Sequence, residues 1–414
     1  MKDKRILILG IFILMALAMG ITYAYFSAKI IGSETESTLV FDAGTLSINL
    51  DGGNTLNGDK MIPGDTPFST KKFTVIGNNN SNGYMPYSVN LVVDENTYSI
   101  DAISYTLELV TDETDNNGEP IENRDNTPIN YTDIIGSGYF TKGSNIKHTY
   151  LLKMYFLDTH TDQSEDMKAR FNAHIEITGN RASKNKITVT FDADGGEVET
   201  LSKEVVIGSA YGDLPIPTKK GYEFLGWNGK NLLNLEVEES FPSNLSVSNT
   251  TARTFIQGTY IKGMATNNYY IPSYVKSLVI RPNFIEVFST NGYGVGYAFS
   301  VDKLKEYTLS FNANSKNINW ALNSAIFYQC DGTLISYSQE TLKHYYIKHI
   351  TIPDNSCYLL LTFASATAES NSIFRNIQLE EGTEATEYEP YFIDKYTKVV
   401  QYENHTLKAI WKEI

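Results

Sequence analysis

From Leu39 to about Gly179, apolar and polar positions alternate in short runs, without the three- or four-residue spacing of a helix. "TLSINL", "KKFTVIG", "YSVNLVV", "SYTLELV", "YLLKMYFL" and "FNAHIEITG" are rich in β-branched and aromatic residues, with Gly, Asn, Asp and Pro between them. In "KKFTVIG", Phe73 and Val75 alternate with Lys72 and Thr74, which predicts an antiparallel strand with one face in a core. The acidic stretch "TDETDNNGEPIENRDN" (111–126) has no apolar period and predicts a long solvated loop. A second region begins after "SKNKI" (183–187). Val189 and Phe191 alternate with Thr188 and Thr190, a "DADGG" turn follows, and Pro215 and Pro217 stiffen "GDLPIPTKKGY". "GYEFLGWN" (221–228) then supplies a glycine turn, an aromatic strand and Trp227 to seal a small core. A third region, 229–392, carries "YTLSFNAN", "NINWALN", "AIFYQCDGTLISY" and "CYLLLTF". Tyr307, Leu309 and Phe311 alternate there with Thr308, Ser310 and Asn312, again predicting a half-buried strand. The pattern is that of a mostly β chain built from sandwiches.

The first residues break this pattern. "MKDKR" is basic and "ILILGIFILMALAMGI" (6–21) is uninterruptedly apolar. Thr22 and Ala24 occupy the −3 and −1 places for cleavage between Ala24 and Tyr25. The alternative is a retained anchor, because Ile6 to Phe26 would reach about 31 Å as a helix, enough to span a bilayer. Either way, residues 1–24 are a targeting segment, the remainder is expected outside the cell, and the membrane is met only through this segment.

Composition narrows the function. The chain is 42% hydrophobic and 12% aromatic, with 28 Tyr, which suits a folded β protein. Its net charge of −14 argues against nucleic acid or an anionic membrane surface as partner. Cys330 and Cys357 are the two cysteines. In an exported protein they would form a disulfide contributing roughly 3 kcal/mol, or remain two buried thiols. Nothing in their spacing matches a metal site.

Particular motifs carry resemblances to known families. "TYAYFS", "AGTLSINL", "IPGDTPFSTKKFTVIGNN" and "YLLKMYFLDTHTDQ" before "FNAHIEITG" occur in an order similar to the camelysin/TasA family, over residues 1 to about 180. That resemblance implies a jelly-roll β-sandwich at 25–181, export with a SipW-type signal, and a cell-surface or biofilm-matrix setting. It also implies fibres built by strand exchange, with 25–41 as the donor strand, so that the chain itself is one expected partner. The camelysin side of the family implies a metalloprotease, for which "DTHTDQSED" offers Asp158, His160 and Asp162; a solvated connection is the better reading of that run.

The second region resembles a Listeria–Bacteroides repeat (the internalin-type B repeat), which has a small β-grasp-like fold. The usual closing strand is missing after residue 228, but "NHTLKAIWK" at 404–412 supplies it. The expectation is therefore a discontinuous repeat, 187–228 plus 393–414, with a core of Phe191, Tyr222, Phe224, Trp227, Leu407 and Trp411. Residues 229–392, opening "KNLLN" and closing "NIQLEEGTEATEYEPY", would be a guest inserted into it. That guest resembles carbohydrate-binding-module-like jelly rolls.

No HExxH, GxSxG or phosphate-cradling glycine loop occurs, so the chain reads as a non-enzyme. Sugar binding needs exposed aromatic faces; the candidates are Tyr269, Tyr270, Tyr293, Tyr297, Trp320 and Tyr328. Core burial is the competing explanation for each, most of all for Trp320, which shares a face with Ile318 and Leu322. No cofactor is expected beyond a structural calcium, for which Glu380 and Glu381 are placed on the last guest strand. The expected role is an extracellular protein of a Gram-positive-type bacterium. It would act at the cell surface or in secreted matrix, presenting a module that binds surface glycan or a cell-wall or matrix component. The rival role is a fibre subunit with a passive guest.

Overall fold

A computed structural model describes residues 28–31, 37–41, 44–50, 55–59, 61–158, 160, 162–179, 186–235, 260–265, 274–289, 292–302, 305–315, 321–342, 344–365 and 370–414. The expected cleavage site, Ala24 and Tyr25, lies outside them. No helix among the described residues is long and apolar enough to cross a membrane. The chain is nearly all β, 60% strand and 3% helix, in several sheets. It divides into two compact units: 1–190 with 202–214 and 395–405, and 191–201 with 215–394 and 406–414.

The first unit is built on a two-sheet sandwich. One sheet runs Ala28–Ile31, Arg170–Gly179, Met85–Asn96, Asp133–Phe140, Gly118–Glu119, with Thr55–Asp59 also paired to Arg170–Gly179. The other runs Ser37–Phe41, Gly44–Leu50, Ser69–Asn79, Gly143–Phe156, Ile103–Leu109, Arg124–Pro128. The alternation read in "KKFTVIG" has its physical counterpart here. Phe73 and Val75 are buried against Leu107, Tyr150 and Leu152, while Lys72 and Thr74 are partly solvated. The segment expected to serve as donor strand folds back on its own chain: Ala28–Ile31 pairs with Glu176–Gly179, and Ser37–Phe41 with Gly44–Ile48.

The acidic stretch 111–126 is largely solvated, as expected, but it is not a featureless loop. Thr111–Glu113 forms a 3-10 turn, and Gly118–Glu119 and the beginning of Arg124–Pro128 are strands. Ile121, the one aliphatic residue after Thr111, is buried in the sandwich core. Polar composition hid the anchor, because a single apolar side chain produces no period.

In the second unit, the region read from sequence as a guest holds a sandwich of two five-stranded sheets. One runs Tyr260–Ala265, Tyr293–Ser300, Tyr358–Ser365, Ala321–Tyr328, Leu334–Leu342; the other Val275–Arg281, Phe284–Ser289, Ser370–Glu381, Tyr307–Ser315, His344–Ile350. Leu309, Phe311, Phe363, Phe374 and Leu379 lie between the sheets. Thr308 and Ser310 were expected on a solvated face, but they are 0% and 4% exposed. The Thr308 hydroxyl donates to the Gly382 carbonyl at 2.7 Å, so the turn after the last strand covers that face. Cys330 and Cys357 are joined by a disulfide, with Cα atoms 5.0 Å apart. The bridge closes the end of the Ala321–Tyr328/Tyr358–Ser365 ladder, where Tyr328 faces Tyr358.

Beside the guest in sequence, Tyr222–Asn228 pairs antiparallel with His405–Glu413 and, at its end, with Phe392–Ile393. A bulge between Phe224 and Gly226 shifts the parity of the strand. Tyr222, Phe224 and Trp227 therefore share a face, and Leu225 is pushed outward to 45% exposure. Trp227 meets Phe191 at 5.1 Å and Phe224 at 5.5 Å between ring centroids, and its indole N–H donates to the Pro215 carbonyl at 2.8 Å. Phe224 sits opposite Trp411, whose indole N–H donates to Ala193 O at 3.0 Å. Phe191, Trp227 and Leu407 are buried; Tyr222, Phe224 and Trp411 are half-buried, with Lys219 Nζ 4.6 Å from the Tyr222 ring. A Cβ on Gly196 would come within 2.6 Å of Thr218 O and 2.9 Å of the Trp411 ring, which is why the "DADGG" turn carries glycine there.

Candidate functional site

Strand directions give the guest two distinct ends. At one, the chain enters through Asn231–Leu233 and leaves after Glu381: Leu232 N–H donates to Leu379 O at 2.8 Å. Asn231 is 1% exposed; its amide donates to Ile377 O at 2.9 Å, and its carbonyl accepts from Leu233 and Leu379 N–H. Glu380 is fully buried beside it. Its carboxylate accepts from Lys230 Nζ at 2.9 Å, Gln378 Nε2 at 2.9 Å, and Thr386 N–H and Oγ1 at 2.9 and 2.8 Å. Buried charge of this kind persists only when paired and hydrogen-bonded. Glu381 pairs with Lys305 at 2.5 Å. Each of the two carboxylates named for a structural calcium thus has a lysine beside it. Among the described residues no group of three His, Cys, Asp or Glu side chains could hold a metal ion. This end is a polar clasp that fastens the two ends of the guest together.

The opposite end gathers Ala265, Val275, Ser289, Tyr293, Ser365 and Ser370: Ala265 faces Tyr293, Val275 faces Ser289, and Ser289 faces Ser370. Tyr274 and Tyr293 meet there edge to face, with centroids 4.8 Å apart and planes at 82°. Tyr274 is 41% exposed and Tyr293 half-buried. Ser289 Oγ donates to the Tyr293 carbonyl and fixes the start of that strand. An exposed aromatic ring is the kind of surface on which the C–H face of a sugar ring can stack.

The other sequence candidates are placed differently. Tyr297, two turns of the pleat along from Tyr293, is 2% exposed inside the sandwich, and burial pushes its phenol up to about 12. Tyr328 is 1% exposed, packed with Ala298, Ile326 and Leu360 on the outer side of its sheet. A stacking platform has to reach solvent, and neither ring does. Tyr269, Tyr270 and Trp320 lie outside the described residues. The strands preceding them, Tyr260–Ala265 and Tyr307–Ser315, finish at the Tyr274 end. Tyr274 was missed from sequence because "YIPSYV" has no strand alternation. Only its tertiary neighbour Tyr293 marks it.

In "DTHTDQSED" the carboxylates serve the backbone. Asp158 accepts from His160 N–H at 2.8 Å and Asp162 from Ser164 N–H at 3.0 Å. The Asp162 carboxyl is held below its usual range by that Ser164 bond. His160 extends into solvent with its side chain 89% exposed. These are turn-forming roles.

A model of the Listeria-Bacteroides repeat domain family matches residues 188–251, less than half of the chain. No curated protein matches the chain. Among solved structures, one entitled "CBM4 structure and function" is 16% identical, covering 26% of this chain and 77% of that one, with a TM-score of 0.22. An accessory secretory protein complex from Streptococcus pneumoniae is 16% identical over 34% of this chain and all of that one, with a TM-score of 0.22. The tandem CBM22 domain from Paenibacillus barcinonensis is 9% identical over 87% of this chain and 99% of that one, with a TM-score of 0.19.

Proposed function

We propose that this is an exported, non-catalytic surface or matrix protein. In it, 187–228 and 393–414 form one Listeria–Bacteroides-type repeat around the guest 229–392, and the Tyr274 end of the guest binds glycan. The observation that carries the binding role is the edge-to-face pair Tyr274–Tyr293, partly open to solvent at the end of the guest remote from its chain entry and exit. The Cys330–Cys357 bridge supports an oxidising, extracellular setting, as does the repeat match at 188–251. The test uses residues 25–414 on an array of cell-wall and host glycans, with and without calcium. Saturable binding is expected, falling about tenfold or more in Tyr274→Ala and in Tyr293→Ala, since burying a large aromatic side chain contributes on the order of 1.5–3 kcal/mol. Binding that both variants leave unchanged would sink the site; no binding to any glycan would sink the ligand class.

A second reading has its own observation. Ala28–Ile31 and Ser37–Phe41 are both edge strands close to the N-terminus of the exported chain, the arrangement from which a strand can be lent to a neighbouring copy. It goes with the camelysin/TasA resemblance read in the sequence of residues 1 to about 180. It requires that polymers form in solution and disappear when residues 25–41 are deleted.

A further inference from the structure

The run Gly118–Arg124 in the first unit is held from within. Ile121 is 2% exposed and its N–H donates to Tyr150 Oη at 2.8 Å. Glu119 and Gly118 pair with Tyr139 and Phe140, and the Asn123 side chain accepts from Leu109 N–H at 2.7 Å. Anchors at Gly118–Glu119, Ile121 and Asn123 leave the intervening side chains little freedom. Those side chains face segments that the same unit draws from far along the chain, 202–214 and 395–405.

The contacts are complementary in charge and shape. Lys395 Nζ lies 2.6 Å from Glu122 Oε2. The Arg124 guanidinium carbon lies 3.8 Å from the centroid of the Tyr396 ring, and Lys395 Nζ lies 5.0 Å from the same centroid. Arg124 Nε is buried without a hydrogen-bond partner, so this edge of the guanidinium is sheltered against the ring rather than solvated. Lys203 Nζ donates to Tyr211 O at 2.7 Å and Asp213 O at 2.9 Å. A Cβ on Gly212, whose φ is +65°, would sit 3.4 Å from Lys203 Nζ and 3.6 Å from Glu119 Oε1, so these groups crowd one spot. The two later segments are themselves joined: Tyr211 N–H donates to Thr397 O, Gly212 N–H to Lys395 O and Val399 N–H to Ser209 O.

We infer that Glu119–Arg124 is an interaction surface whose partner is the Lys395–Tyr396 segment, braced by the Lys203–Asp213 loop of the same chain. The acidic excursion is thus a docking rim. It fastens the first sandwich to the 395–405 segment of the same unit. An isolated exposed ion pair contributes little. Here the pair is partly exposed but sits on a loop already ordered by Ile121 and beside the Arg124–Tyr396 stack, so part of the ordering cost is met before docking. The inference stands independently of any glycan.

Hydrogen exchange on residues 25–414 tests it. Glu122→Lys and Arg124→Ala should each speed exchange of the Tyr211, Gly212 and Val399 amides by about five- to tenfold, as expected for loss of a local fastening. The amides of Met85–Leu91 should stay as in the unaltered protein, which separates undocking from unfolding of the sandwich. The charge swap Glu122→Lys/Lys395→Glu should restore most of the protection. Unchanged exchange in both single variants, or a swap that restores nothing, would overturn the inference.

Discussion

His148 is fully buried in the first sandwich, its ring 4.4 Å from that of Phe140. Nδ1 lies 2.7 Å from Tyr87 Oη, which in turn lies 2.5 Å from Tyr150 Oη, while Nε2 is buried without a partner. Desolvation lowers the imidazole to about 4, with Asp115 opposing weakly. The unfolded value is near 6.5, so the unfolded chain takes up the proton first as pH falls. Stability from this site is therefore complete above pH 6.5 and is lost progressively down to about pH 4, in all about 3 kcal/mol. Denaturation midpoints measured from pH 7 to pH 4 should fall more steeply in the unaltered protein than in His148→Gln, where every carboxylate is retained and only the imidazole is gone. Sequence showed only a histidine two residues before "YLLKMYFL"; its core setting is seen in its contact with Tyr87, 61 residues away. The same applies to Tyr293 and Tyr297. Four residues apart on one strand, one ends half-open beside Tyr274 and the other lies within the core, because the strand runs from the rim of the sandwich to its middle.

At the scale of elements, "GYEFLGWN" was legible as a strand and its missing partner as "NHTLKAIWK". The ladder between them has Phe224 opposite Trp411 and Trp227 opposite Ala409. What the text did not show is the bulge at Leu225, which sets Tyr222, Phe224 and Trp227 on one face. Strict alternation would have divided them between two. Truncation after Asn404 removes the partner strand while keeping the whole segment matched by the family model, 188–251. Exposure of Trp227 is the expected result, seen as a red shift of its fluorescence and rapid exchange of the Tyr222–Asn228 amides. Retention of a blue-shifted Trp227 in that truncation would mean that the segment completes its core without 405–413. The acidic stretch 111–126 was illegible for a physical reason. Its order comes from one buried isoleucine and from charges whose partners lie some 270 positions later in the chain.

For the whole molecule, the two compact units carry different weak points. The disulfide lies in the second and His148 in the first. Calorimetry should resolve two transitions. Replacing Cys330 and Cys357 by Ser should lower one of them, costing roughly 3 kcal/mol for a loop of this length. Acid should lower the other. A single transition displaced by both changes would show instead that the units unfold together. The net charge of −14 shifts neither expectation, since it bears on partners and solubility rather than on fold.

By itself the sequence determined the β class, most strand positions and the turns between them, because side-chain alternation and turn residues act over a few positions. It also set the two cysteines at the ends of the apolar runs "AIFYQ" and "YLLLTF". Tertiary structure decided which aromatic rings reach solvent, that Lys230 meets Glu380, and that an acidic loop is a docking rim. Each of those outcomes depends on what packs against a side chain from elsewhere in the chain. Burial and charge pairing are properties of that neighbour as much as of the residue.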